Sequence, residues 1–126
     1  TPKEISGLKD AVETMLKDNR GQWILSTHKE GQCEQPLSYF DNVSQSIKTS
    51  FIDRTFIDNN ERWIIDYKYT APMDNESEQS FGQRQIEAYR PQLNHYSQLY
   101  QKLGAKKVRC ALYFPQTAVF IEVTGN

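Results

Sequence analysis

The sequence predicts an α/β fold in which a central mixed sheet is flanked by helices. Three observations carry that expectation. A helical apolar repeat opens the chain, four strand-like runs follow between residues 22 and 70, and a second helical stripe precedes two closing strands. At 126 residues and 14.7 kDa the chain is one domain's worth, spanning 1–126, with enough length to bury a core. A hydrophobic content of 37% against 25% charged residues excludes a collagen-like chain and argues against wholesale disorder. The net charge of −1 gives no independent support for nucleic-acid binding. Apolar runs extend only a few residues, so no membrane partner is expected.

Each element has its own signature. In "TPKE", Thr1 reads as an N-cap, Pro2 as the first helical residue and Glu4 as the closing member of a capping box. Ile5, Leu8, Val12 and Met15 then recur at spacings of three and four, which predicts an amphipathic helix over 2–17, ended by "DNRGQ". Strands are expected around 22–27, 34–40, 47–57 and 62–70. The polar stretch "MDNESEQSFGQRQ" interrupts as a candidate mobile loop. From about Gln85 to Leu103 the helical period returns through Ile86, Tyr89, Leu93, Tyr96, Tyr100 and Leu103, with Gly104 as the C-terminal stop. Pro91 interrupts that stripe, so the helix either starts near Arg90 or bends there. "KVRCALYFPQTAVFIEV" reads as two strands around a Pro-Gln-Thr turn. Cys33 and Cys110 lack CxxC spacing and cannot alone hold zinc or an iron–sulfur centre; they are expected as unpaired thiols rather than a disulfide.

The stretch "SFIDRTFIDNNERWIIDYKYT" carries the chemistry. A two-residue turn at Asn59-Asn60 makes facing residues sum to 119, so Phe56 faces Trp63, Thr55 faces Ile64 and Asp53 faces Asp66. Alternation sends Asp66 and Lys68 to the face that carries Asp53. Opposed Cβ atoms lie about 4.5–5.5 Å apart, where like charges repel. One carboxyl pKa should therefore rise unless a cation sits between the two. Oxygen ligands of this kind suit Mg²⁺ or Mn²⁺. Lys68, roughly 6.6 Å along the strand, is placed to orient a water or a phosphate oxygen. The competing reading is an ordinary surface charge cluster of Asp53 with Arg54 or Lys68.

"FIDRTF", "WIIDYKYT" and "YRPQLNHYSQLY", in that order, resemble the RecB-like nucleases of the PD-(D/E)XK superfamily. In particular they are similar to the C-terminal nuclease domain of AddA- and RecB-type, UvrD-related helicase–nucleases. "CEQPLSYF" and "ALYFPQTAVFIEV" extend the resemblance over most of residues 30–124. It implies a restriction-endonuclease-like core and metal-dependent, exonuclease-type hydrolysis of DNA phosphodiesters in repair and recombination. It also implies cytoplasmic location, DNA as partner, a helicase motor in the same parent chain and a second helicase–nuclease subunit as a further candidate partner. Asp53, Asp66 and the Tyr67 carbonyl would ligate the metal, and Lys68 would position or help deprotonate water. Gln92 would organise Lys68 or contact the DNA backbone, and Tyr96 would pack or hydrogen-bond nearby. For Tyr89 and Tyr96, a place in a core stripe competes with a site role.

The chain departs from the family pattern in places. Ser50 stands where the family usually has Gly, and no helical His motif precedes the strands. His28, His95, Glu13 and Glu34 are the candidates for a further ligand. The expectation is that the usual His precedes residue 1 in a longer helicase–nuclease, of which this chain is a C-terminal piece. No GxxxxGK[ST] motif is present, so an ATP motor would lie elsewhere, and two cysteines exclude a four-cysteine iron–sulfur branch. A nuclease-like module that guides DNA or docks protein without cleaving it is the alternative, and a stand-alone restriction-like endonuclease the third reading.

Overall fold

A capping aspartate divides the first helical region in two. In this computed structural model, which describes residues 2–124, α1 spans Pro2–Lys17 and α2 spans Asn19–Leu25. The roles of Thr1 and Glu4 and the burial of Ile5 and Leu8 lie outside the described residues and side chains. Of the remaining α1 stripe, Met15 is buried but Val12 is exposed, and Ala11 takes the inward position instead.

The strand expected over 22–27 is instead helical. Asp18 sits in extended backbone and its carboxylate accepts from Gly21 N at 3.0 Å, a cap that starts a new helix where the apolar triplet suggested a strand. Gly21 permits the crossing of α1 and α2, because a Cβ there would meet the Met15 carbonyl oxygen at 2.1 Å. Ile24 is then fully buried, and Trp23 packs edge-on against Phe56 and Trp63.

The strands run β1 (Lys29–Asp41), β2 (Ser46–Asp58), β3 (Glu61–Tyr67), β4 (Val108–Phe114) and β5 (Val119–Val123), and α3 (Glu78–Lys102) connects β3 to β4. They form one five-stranded sheet in the order β1-β2-β3-β4-β5. Only β3 and β4 pair in parallel, so α3 is the crossover of a mixed sheet. On one face, Leu93, Tyr96 and Tyr100 of α3 pack with Leu37, Ile52, Ile64 and Leu112. On the other, Met15 and Ile24 pack with Phe56, Trp63, Ile65 and Tyr113. The α/β class with helices on both faces of a mixed sheet is as expected.

The second helix starts earlier than its apolar stripe. Ser77 Oγ accepts from Ser80 N at 3.1 Å and caps α3, so the supposed loop is already helical from Glu78. The remainder of that segment is tied to the helix by Glu76, which binds Arg84 through both carboxylate oxygens at 3.0 Å. Pro91 lies inside α3, which neither starts at Arg90 nor ends there. Pro91 and Glu87, whose carbonyl loses its i+4 donor, are both on the exposed side, where water can satisfy that oxygen. Gly104 follows at φ 104, in the left-handed region, as a C-terminal stop should. Leu103, read as part of the stripe, is 71% exposed. Among the described residues no helix is long and apolar enough to cross a membrane. Cys33 is exposed, Cys110 is buried, and both thiols are free.

Candidate functional site

The β2–β3 hairpin has the register expected of it. Asn59 and Asn60 adopt φ 51 and 63, a left-handed pair suited to a two-residue turn. The facing pairs are Asp58–Glu61, Ile57–Arg62, Phe56–Trp63, Thr55–Ile64 and Arg54–Ile65. Pairing stops there. Asp53 and Asp66 are the next residues along each strand, so they stand where β2 and β3 part rather than within the ladder.

Alternation from the turn holds through Asp53 and breaks beyond it, at Ile52. Ile52 packs in the α3-side core, yet Arg54, which alternation would put on the same side, reaches α2 on the opposite face. On β1, Glu34 adopts φ 52 between the pairs Cys33–Arg54 and Gln35–Ile52, so the irregularity involves both strands. The consequence is local. The Asp53 side chain turns toward β3, where one carboxylate oxygen accepts from Tyr67 N at 2.8 Å.

Asp66 stays on the α3 side with Ile64 and Leu112, its parallel neighbour on β4. Its side chain is 13% exposed, and Lys68 Nζ lies 3.0 Å from Oδ2. That oxygen is buried without a well-formed hydrogen bond, so the lysine compensates its charge but not its directionality. Burial, together with the Asp53 carboxyl within hydrogen-bonding reach, pushes the Asp66 pKa up to about 6 against the opposing pull of Lys68. The structure therefore brings Asp53, Asp66 and Lys68 together. The surface-cluster reading that pairs Asp53 with Arg54 is corrected: Arg54 is buried and donates to the Ile24 and Ser26 carbonyls, each at 2.9 Å, closing the C-terminal end of α2.

The α3 side chains divide differently from the expectation. Tyr89, half-buried, presents its ring to Lys68, with Nζ 3.9 Å from the ring centroid. Gln92 is exposed, and its side chain pulls the Tyr96 pKa down against burial. Tyr96 is buried in the core; burial first, then the Asp66 and Asp53 charges, push its pKa up. The core place of Tyr96 is thus as read, and its hydroxyl lies within the electrostatic reach of the two carboxylates. Tyr69, on the exit from β3, is raised by burial and by Asp53. The Tyr67 phenol is also pushed up, mainly by burial.

None of the candidate extra ligands joins the pair. Glu13 is exposed on α1, the layer opposite α3, and Glu34 is exposed on β1. His28 is structural: its Nε2 contacts Ser26 Oγ and the Trp23 carbonyl, and its ring stacks on Phe56 at 4.0 Å. His95 turns toward β1, edge-on to Tyr39 at 4.5 Å. Among the described residues no cluster of three or more His, Cys, Asp or Glu side chains forms. Cavities of about 350 Å³ beside Arg62 and about 440 Å³ beside His95 lie away from the carboxylates.

Sequence reasoning missed Tyr89 as a partner of Lys68 and Arg54 as the anchor of α2. A signal existed for the first, because Tyr89 precedes Gln92 by three residues and shares its helical face.

The fold and site define an α/β protein with a mixed five-stranded sheet and a paired-carboxylate rim where two strands separate. No family model matches the chain, and no curated protein matches it to a significant degree.

Proposed function

We propose that this chain is a metal-dependent DNA nuclease domain of the PD-(D/E)XK type, similar to the RecB-like domains of helicase–nucleases. The observation that carries the reading is the meeting of Asp53, Asp66 and Lys68 where β2 and β3 part. Two carboxyls in contact, one with its proton affinity raised and a buried oxygen lacking a directed donor, suit a divalent cation. Asp53, Asp66 and the Tyr67 carbonyl would hold Mg²⁺ or Mn²⁺. When bound, the ion supplies Lewis acidity toward a phosphoryl oxygen and lowers the pKa of water.

The chain's own residues do the rest. Tyr67 N, by donating to Asp53, fixes one carboxylate oxygen and leaves the other free to face Asp66. Lys68, on the same side as Asp66, orients the attacking water and offsets charge at the phosphate. The Tyr96 hydroxyl, with Gln92 near it and within the field of both carboxylates, would keep the α3 side of the site polar. Two carboxylates and a carbonyl are few ligands, so metal affinity is weak unless a further group joins. That motivates the placement of this domain in a longer helicase–nuclease, acting exonucleolytically on DNA in the cytoplasm, with an ATP motor in the parent chain and a second subunit as partner.

The test is direct. Lys68→Ala in the full-length parent should abolish DNA cleavage while ATP-driven unwinding and DNA binding stay near wild type. Undiminished cleavage removes the assignment from this site. Absence of wild-type cleavage with every divalent metal points instead to a DNA-guiding or docking module.

A further inference from the structure

Lys68 is held from two directions, and only one of them survives the proposed chemistry. Its ammonium lies 3.0 Å from Asp66 Oδ2 and 3.9 Å from the centre of the Tyr89 ring. A divalent cation on Asp66 would compete with the lysine for that carboxylate and repel it by charge. The ring face does neither, because its negative quadrupole attracts a cation without being consumed by the metal. Tyr89 sits on α3 three residues before Gln92, and α3 is fixed to the sheet by buried Leu93 and Tyr96. The ring is thus anchored independently of the strand that carries Lys68.

We propose that Tyr89 is a positioning residue whose ring face keeps the Lys68 ammonium beside the Asp53–Asp66 pair when a divalent cation occupies it. The proposal rests on the metal-site reading for its purpose, but the contact itself does not. Tyr89 also packs against the α3-side core, so loss of the side chain alone would not separate holding from packing. Graded fluorination of the ring does, since it weakens the quadrupole while nearly preserving shape.

The experiment has two arms. In the first, the Lys68 Hε resonances are followed by NMR in the intact chain. They should lie upfield of an exposed lysine through the Tyr89 ring current, in wild type, Tyr89→Phe and Asp66→Asn, and remain there on addition of Mg²⁺. Loss of the upfield position in Asp66→Asn, or on adding Mg²⁺, overturns the proposal because the carboxylate would then be the real holder. In the second, Mn²⁺-dependent cleavage of a single-stranded oligonucleotide is measured in the full-length parent across Tyr89→Phe and its mono-, di- and trifluorinated phenylalanine counterparts. Tyr89→Phe should retain activity, and kcat should fall stepwise along the series to about a tenth, with KM little changed. Equal kcat across the series overturns the role. A wild-type parent that does not cleave, while Lys68 keeps its upfield resonances in Mg²⁺, supports the placement of Lys68 and overturns the nuclease reading alone.

Discussion

Asp66→Asn should stabilise the metal-free chain at neutral pH and do nothing at low pH. The Asp66 carboxyl has its pKa raised from 3.8 to about 6, burial being the largest cause and the Asp53 carboxyl the next. A raised carboxyl pKa means that the folded chain holds a proton which the unfolded chain has already released between those values. Stability contributed by this group is therefore present below 3.8 and lost as pH climbs through 6, at about 1.4 kcal/mol per pH unit. At pH 7.5 the ionised carboxylate opposes folding by roughly 3 kcal/mol. Asparagine is nearly isosteric and never ionises, so the variant should gain about that amount at pH 7.5, a Tm rise on the order of 10 °C. Urea unfolding of both proteins in chelator, at pH 3.5 and 7.5, reads the difference directly, and titrating groups remote from Asp66 cancel in the comparison. The same gain at both pH values would show that Asp66 does not titrate as argued. A loss at pH 7.5 would mean that the Lys68 pair outweighs burial.

Other outcomes follow from the same contacts. Isothermal calorimetry should find weak Mg²⁺ or Mn²⁺ binding by wild type and none by Asp66→Ala; equal affinity would remove the carboxylate pair as the site. Arg54→Met should cost about 3 kcal/mol in urea unfolding, because it leaves the Ile24 and Ser26 carbonyls without their charged donor. A thiol reagent should label native protein at exposed Cys33 alone, since burial pushes the Cys110 thiol up to about 12; two labels on native protein would contradict that placement.

The sheet was largely legible because its signals are local. The Asn59-Asn60 turn dictates its own backbone, and the turn dictates the 119 register out to Arg54 and Ile65. The α2 helix was not legible as a helix, since seven residues ending in Trp-Ile-Leu carry too few turns to show a period. Its cap, Asp18, is visible in the sequence, but the Arg54 guanidinium that closes its other end comes from a strand 30 residues away. The start of α3 was missed for a related reason. The first turn after Ser77 is polar and exposed, and the apolar stripe registers only where the helix meets the sheet.

The turn register and alternation bring Asp53, Asp66 and Lys68 together, and the irregularity lies just beyond them. Alternation counted from the turn sends Phe56 and Arg54 toward α2 and Thr55 and Asp53 to the Asp66 face, and it breaks one residue further on, where Ile52 also faces α3. That break ends the regular ladder beside the carboxylate pair. In a regular ladder the two carboxylates would stand side by side above a continuous sheet, each covered in turn by α3. Where the strands part, Asp53 can bend to the Tyr67 amide and fix its orientation, while Asp66 remains half-enclosed against β4 and α3. A repulsive carboxylate pair is tolerable there because Lys68, steadied by α3, offsets its charge in the metal-free fold.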